Sequence, residues 1–530
     1  MLVIQNLSYS HPNKDLLFEE IQLTLHAREK MALIGANGVG KSTLMKLITG
    51  ELYPTFGTII TKSKPYCIPQ IFGQFDHLTI AESLQVDQKL EALQQILMGN
   101  VSEKNYDILN EDWNIEERCR EALQYWNLDN LDLSQSLDSL SGGQKAKLFL
   151  AGIMIHQPDL VLLDEPSNHL DLQGRDLLYH FIESSELAIL IVSHDRKLLN
   201  LIDSVSELTP KGIKFYGGNY DFYKEQKLIE WNAQNADIQN KEKAFKKAKE
   251  KEKETMERQL KLNARGKLKQ EKAGVPKIAM KSLQNKGEQT ASKLKSAHTE
   301  KIDSIKEELN ILRSEIIENN QMKIDFDYSK IHKGKLLFQT NGINYSYKNS
   351  PFLWKENLDI QIYSGERIVI KGSNGSGKTT LIKVLLGELI PQIGQIIRKE
   401  FTFIYIDQEY SLIQNDLTIY EQIQRYNHHN LLEHELKIRL HRFLFPKETW
   451  DKKCEFLSGG ERMRLMLCCL SVGNQAPGII ILDEPTNNLD IQNMEILTAA
   501  ISEFQGTLLV ISHDETFLEE IRVKKTILLY

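Results

Sequence analysis

Nowhere in the 530 positions is there a run of 18 or more apolar residues, which argues against a transmembrane helix. The opening stretch, MLVIQNLSYS, has no basic segment leading into an apolar core. It reads as a strand that enters the fold at once, not as a secretory leader. Cysteine is scarce: Cys67, Cys119, Cys454, Cys468 and Cys469 are odd in number and have no metal-ligand spacing. Cys468 and Cys469 sit together in an apolar helix-like run, where they read as small buried hydrophobes. A reducing cytoplasm is the expected compartment. Proline and glycine are both missing from residues 224–262, so nothing interrupts a long helix there.

What is present is ordinary in bulk and uneven in detail. Apolar residues make up 41% and charged residues 26%, a soluble globular balance with length for two or more domains. The formal net charge is −7, yet residues 241–300 hold 18 Lys/Arg against 8 Asp/Glu, so that segment carries +10 and the other 470 residues −17. Such asymmetry points to a polyanionic partner for the middle of the chain.

The chain also repeats itself. GANGVGKST at 35–43 returns as GSNGSGKTT at 372–380, and LSGGQ at 140–144 as LSGGE at 457–461. LVLLDEPSNHLD at 160–171 returns as IIILDEPTNNLD at 479–490, and IVSHD at 191–195 as VISHD at 510–514. The order is the same in both halves, and the offset is 317 at the serine and 319 at the acid pair and the histidine. A duplication explains this. The first half is longer by about twenty residues within roughly 84–130, a helix-like region that reads as a larger helical subdomain.

Each half runs an apolar strand into G-x-x-x-x-G-K-[ST] and then a helix, the context a phosphate-binding loop needs. Gly35, Asn37, Gly38, Gly40, Lys41, Ser42 and Thr43, and in the second half Gly372, Asn374, Gly375, Gly377, Lys378, Thr379 and Thr380, are the candidate ATP-binding positions. Backbone N–H groups would close around the phosphates at the positive end of the helix. Lys41 and Lys378 are expected to reach the β- and γ-phosphates, and the Ser42 and Thr379 hydroxyls to ligate Mg²⁺. Four apolar residues then lead to Asp164-Glu165 and to Asp483-Glu484, placing each acid pair at the C-terminal edge of a buried parallel strand. Asp164 and Asp483 are expected to hold Mg²⁺, directly or through water. Glu165 and Glu484 would orient or deprotonate the water that attacks the γ-phosphate.

With Leu-Ser-Gly-Gly before a helix and upstream of the acid pair, each half resembles an ATP-binding cassette (ABC) ATPase. The resemblance implies that two cassettes pair head to tail, each ATP lying between the phosphate loop of one and the signature of the other. It implies nucleotide contacts from Ser141, Gly142, Gly143 and Gln144, and from Ser458, Gly459, Gly460 and Glu461. It makes Gln70 and Gln408 the Q-loop residues, near Mg²⁺ as well, His194 and His513 the switch histidines, and Asp171 and Asp490 the D-loop acids. One composite site would use Lys41, Gln70, Glu165 and His194 with Ser458, and the other Lys378, Gln408, Glu484 and His513 with Ser141. Tyr347 stands where the family's adenine-stacking aromatic belongs. The matching first-half position is His11, with Tyr9 and Tyr345 as alternates.

Residues 224–262 read as a helix and 292–319 as a returning one, with Ile305, Leu309, Leu312 and Ile316 as a narrow seam. Between them lies ARGKLKQEKAGVPKIAMK (264–281), interrupted by Gly266, Gly274 and Pro276. An antiparallel helical hairpin with a cationic tip is expected, with Arg265, Lys267, Lys269, Lys272, Lys277 and Lys281 as candidate RNA contacts made through phosphate. Two cassettes, no transmembrane segment and this linker together resemble the ABC-F family. That resemblance implies an α/β fold of two P-loop cassettes, each with a helical subdomain, joined by the hairpin. The boundaries would be 1–223 (helical subdomain about 75–155), 224–330 (basic tip about 263–291) and 331–530. It implies an ATPase using ATP and Mg²⁺, monomeric with its cassettes paired internally. Its partners would be the ribosome at the tRNA exit site, tRNA and rRNA, in translation or in antibiotic protection. Two other classes stay in view: an ATPase subunit for separate membrane subunits of a transporter, which leaves the hairpin unexplained, and a DNA-associated cassette ATPase, which would split one cassette around a long coiled coil.

Overall fold

The computed structural model describes residues 1–11, 16–69, 72–272, 333–348, 351–428, 430–473, 477–487 and 489–529, together with 292, 296, 299–310 and 312. Met1–Tyr223 and Gln321–Tyr530 make one compact unit, and Lys224–Asn320 another.

The first unit holds two α/β lobes. In the first lobe a six-stranded sheet runs in the order Tyr66–Ile68, Leu160–Asp164, Ala188–Val192, Lys30–Ile34, Ser204–Thr209, Gly212–Tyr216. Its pairs are parallel until the last, which is antiparallel. The second lobe repeats this with five parallel strands: Phe403–Ile406, Ile479–Asp483, Thr507–Ile511, Arg367–Gly372 and Lys525–Leu529. Each lobe adds a three-stranded antiparallel sheet. The acid-bearing strands are buried at all five positions, because helices cover both faces of a parallel sheet. Their unbroken apolar character in the sequence follows from that. In each lobe the strand entering the phosphate loop lies two places from the acid strand, so loop and acids meet at the carboxyl edge, where α/β sheets bind ligands.

The extra length of the first lobe is packed in. Helices Asp87–Leu97, Glu103–Leu109 and Ile115–Tyr125 stand where the second lobe has Glu433–Arg442. Leu93, Leu109, Ile115 and Trp126 are buried in the main core of the lobe. Asp112 ties the segment together, 2.8 Å from both Lys89 and Arg118.

A helix runs from Tyr220 to Lys272, 53 residues or about 80 Å at 1.5 Å per residue, and all of it from Lys224 on belongs to the second unit. The sequence pattern stops this arm near residue 262; the helix instead passes through Gly266. A lone glycine costs a helix only about 1 kcal/mol against alanine, and strong helix formers flank this one. From Trp231 to Thr255 its half-buried positions, Trp231, Asn235, Ile238, Lys241, Phe245, Ala248, Glu252 and Thr255, recur at three- and four-residue steps, a heptad seam. Opposite it, residues 299–310 are helical, with Ile302 and Leu309 buried and Ile305 half-buried. Lys241 pairs with Glu308 across the two arms. Arg265 is exposed; Lys267, Lys269 and Lys272 fall on the helix. Lys277, Lys281 and Ile316 lie outside the described residues.

Candidate active site

Both phosphate loops have the same build. Gly40 and Gly377, at φ 105 and 85, are the N-caps of helices Lys41–Thr49 and Lys378–Leu386. A Cβ on Gly40 would lie 2.7 Å from the Leu17 side chain, so neither the backbone angle nor the space admits a larger residue. Lys41 donates to the carbonyls of Gly35 (2.6 Å) and Ala36 (3.1 Å). Lys378 donates in the same way to Gly372 (2.9 Å) and Ser373 (3.0 Å). Each ammonium is thereby curled over the mouth of its own loop. Burial lowers the pKa of both lysines against the pull of the acid pairs.

The acids converge on the loops. Thr379 donates to Asp483 Oδ2 at 2.9 Å, and the Ser42 hydroxyl bonds Asp164, whose carboxyl burial pushes up while Ser42 and Lys41 pull it back. A contact the sequence reading missed is Tyr405, which donates to the same Asp483 oxygen at 2.9 Å. By sheet register its first-lobe counterpart is Cys67, which cannot reproduce that bond. Glu165 and Glu484 sit one residue on in the left-handed region, φ 51 and 48, a strained conformation that turns each side chain off the strand's alternation. His194 Nε2 lies 3.4 Å from Glu165 Oε1, and His513 Nε2 3.3 Å from Glu484 Oε1. Burial, then Asp164, pushes the Glu165 carboxyl up to about 8. Burial pushes Glu484 up to about 7 against Arg175 and Lys378. Burial pushes His194 down to about 3 and His513 down to about 4, so both histidines are neutral at pH 7.

The two Leu-Ser-Gly-Gly turns are helix starts of a definite kind. Ser141 caps Gly142–His156 and Ser458 caps Gly459–Val472, each in a reciprocal capping box with Gln144 or Glu461. The Gln144 and Glu461 side chains accept from the serine N–H at 2.9 and 2.8 Å, so they are engaged with the helix end itself. The signal was legible, since S-x-x-Q and S-x-x-E are capping-box sequences. Replacing Ser458 with Ala should cost about 1 kcal/mol of stability, read as a lower denaturant midpoint.

Tyr347 is half exposed and its hydroxyl lies 3.0 Å from Thr380 Oγ1. Tyr345 meets it edge-on at 5.2 Å, as Tyr9 meets His11 at 5.6 Å. Tyr9 is buried and Tyr345 packs against the core, which leaves Tyr347 and His11 as the outward rings. Gln408 is exposed beyond strand Phe403–Ile406 and shares a cleft with Tyr410 and Gly459. Gln70 lies outside the described residues.

The lobes meet through these motifs. The Asn37 N–H in the first phosphate loop donates to Asp490 Oδ2 of the second lobe at 2.9 Å. Asn374 in the second loop donates to the carbonyl of His169, two residues before Asp171, at 2.9 Å. A Cβ built on Gly143 would come within 3.4 Å of Asn374 Nδ2, so the first signature lies against the second phosphate loop. Arg196 and Glu520 add an ion pair of 2.7 Å between the lobes. These pairs join residues more than 200 positions apart, which no local pattern reveals.

The residues fit Mg²⁺. A hydroxyl beside a carboxylate at each site is a hard-oxygen donor pair suited to a small dication that takes its other ligands from phosphate and water. Among the described residues, Glu165 Oε1 and His194 Nδ1, with both ring nitrogens of His513, are buried without a hydrogen-bond partner. Buried polar atoms of this kind call for one, and a nucleotide with its waters would supply it.

A family model described as ABC transporter matches residues 18–168 and 355–487. The chain is 30% identical, over an alignment of 558 residues, to the ATP-binding protein YdiF of Bacillus subtilis (strain 168), covering 99% of this chain and 79% of that one. It is 28% identical over 552 residues to ABC transporter F family member 5 of Arabidopsis thaliana, covering 98% and 73%. Among solved structures it resembles archaeal ribosome recycling factor aABCE1 in complex with the ribosomal stalk protein aP1, with a TM-score of 0.59 at 18% identity over 99% of this chain and 87% of that one. At that identity the likeness is one of fold. With two phosphate loops, two signatures and relatives matched along nearly its whole length, the chain belongs to the ATP-binding cassette family, as a tandem-cassette protein of the F type.

Proposed function

We propose that this protein hydrolyses ATP at two sites shared between its cassettes, and that nucleotide-driven closure governs how its basic linker meets RNA on the ribosome. The carrying observation is reciprocal: each phosphate loop bonds the D-loop region of the other cassette, Asn37 with Asp490 and Asn374 with His169. A triphosphate held at either loop then touches both cassettes, and its γ-phosphate becomes part of the contact.

In each site Lys41 or Lys378 holds the β- and γ-phosphates. Ser42 with Asp164, and Thr379 with Asp483, would hold Mg²⁺, which when bound neutralises charge on the phosphate oxygens. By the family resemblance Gln70 and Gln408 would meet the attacking water. Glu165 or Glu484, in its ionised form, takes the proton from that water as its oxygen bonds to the γ-phosphorus. The bond to the β-phosphate oxygen breaks with its electron pair on ADP, and inorganic phosphate leaves. His194 or His513, held neutral by burial, orients the carboxylate and the γ-phosphate. Tyr347 and His11 offer their rings to adenine.

The ribosome is the proposed partner because the acidic cassettes carry a +10 segment between them, and because the archaeal neighbour is named a ribosome recycling factor. The proposed seat is the tRNA exit site. Arg265, Lys267, Lys269, Lys272, Lys277 and Lys281 would contact tRNA or rRNA phosphates near the peptidyl-transferase centre, in a cytoplasmic role in translation or antibiotic protection. The Glu165→Gln, Glu484→Gln protein should co-sediment with ribosomes only when ATP is present. Changing Lys267, Lys269 and Lys272 to Glu should weaken that binding and flatten its log–log salt slope by roughly 2–3 units. Sedimentation with membranes, or ribosome binding indifferent to ATP, would sink the reading.

A further inference from the structure

The duplication makes the two catalytic pairs look alike, yet among the differences between the helices that follow the two D-loops one changes charge beside the site. Arg175 is the fourth residue after Asp171, its N–H bonded to the Asp171 carbonyl at 2.9 Å. The residue in the same place after Asp490 is Met494, with the same 2.9 Å bond. Arg175 is nearly buried, with its side chain 12% exposed, and sits 3.6 Å from Asp195, the residue after the first switch histidine. It also lines a small cavity at the meeting of the cassettes, where His513, Asp514 and Glu515 of the second cassette form the opposite wall.

We propose that Arg175 is a positioning residue supplied in trans: reaching from the first cassette, it orients the Glu484–His513 pair of the second, a cation that Met494 cannot return to the first site. This rests on the reading of Glu484 and His513 given above. The electrostatics agree with the geometry, since the Arg175 guanidinium acts on both Glu484 and His513, whereas the cation acting on Glu165 and His194 is Lys41 of their own cassette. A guanidinium fixed across a small cavity from His513 holds the pair's orientation before nucleotide arrives, so no reorganisation is needed at the moment of reaction. Because the same guanidinium is tied to Asp195, a shift of the first switch loop is transmitted to the second site through one side chain. The two ATP sites therefore differ in rate control.

Two single-site backgrounds test this. In the Glu165→Gln protein only the second site turns over; in the Glu484→Gln protein only the first. Arg175→Met should lower kcat in the Glu165→Gln background by about tenfold with KM within about twofold, and Arg175→Lys should recover most of the loss. In the Glu484→Gln background Arg175→Met should change kcat by no more than about twofold. Equal losses in both backgrounds, a change confined to KM, or no advantage of Lys over Met would make Arg175 a structural partner of Asp195 and overturn the inference alone. Wild-type turnover in the protein carrying both Gln substitutions would overturn the site reading, and the inference with it.

Discussion

Replacing Glu165 and Glu484 together with Gln should lower ATP turnover by on the order of 10³-fold while nucleotide stays bound, the range for losing a positioned general base. Gln matches Glu in shape and tolerates the same backbone, so the left-handed turn at φ 51 and 48 is kept. What disappears is an oxygen able to take a proton. Glu165 Oε2 accepts the backbone N–H of His194 at 3.3 Å, leaving Oε1, buried without a hydrogen-bond partner and 3.4 Å from His194 Nε2, as the atom free to take a proton. Steady-state phosphate release measures the loss, and retention of labelled ATP on a filter measures what survives. Each single substitution should leave the other site turning over. Residual turnover of the double variant above about a tenth of wild type would mean that another group takes the proton.

How much of this was legible follows from the range of each signal. The phosphate loops and acid strands are contiguous and are built from backbone angles only glycine adopts or from strands buried along their whole length, so sequence alone locates them. The pairing of loop hydroxyl with acid, Thr379 with Asp483, follows once strand order is known, because both lie at one sheet edge. Tyr405 was not legible. A tyrosine in an apolar strand reads as core, and only the parallel register with Ile479–Asp483 brings its hydroxyl to Asp483. Gly266 misled in the other direction, since a glycine marks a break only when its flanks do not favour helix. The seam of the first linker arm escaped notice because Lys241, Ala248 and Glu252 stand where a coiled coil ordinarily shows Leu or Ile. Arg175 and Arg196 carry no pattern at all: their meaning comes from what the other cassette places opposite them.

Arg196→Glu should destabilise the protein by on the order of 3 kcal/mol and depress turnover at both sites, because it puts a carboxylate where a buried guanidinium stood and leaves like charges facing each other. The Arg196 side chain is 4% exposed, and Glu520 lies 2.7 Å away in the other cassette. By the 319-residue offset of the switch motifs, the second-cassette counterpart of Arg196 is Glu515, so the duplicated surfaces carry opposite charge at a matching position. A first cassette meeting a second finds a complement; by the same offset two first cassettes would set Arg196 opposite Leu201, the counterpart of Glu520, and two second cassettes would set Glu515 opposite Glu520. The pair thus favours closure within one chain, by a lost partner in one wrong assembly and repulsion in the other. Restoring opposite charges with Arg196→Glu and Glu520→Arg should recover at least half of the lost stability by chemical denaturation, and turnover with it. Lys197→Glu, at the neighbouring pair with Glu515, both side chains 52% exposed and 3.7 Å apart, should cost under about 1 kcal/mol. If the two reversals cost the same, burial across the interface is not what makes Arg196 matter, and the charge pattern would reflect solvation of each cassette by itself.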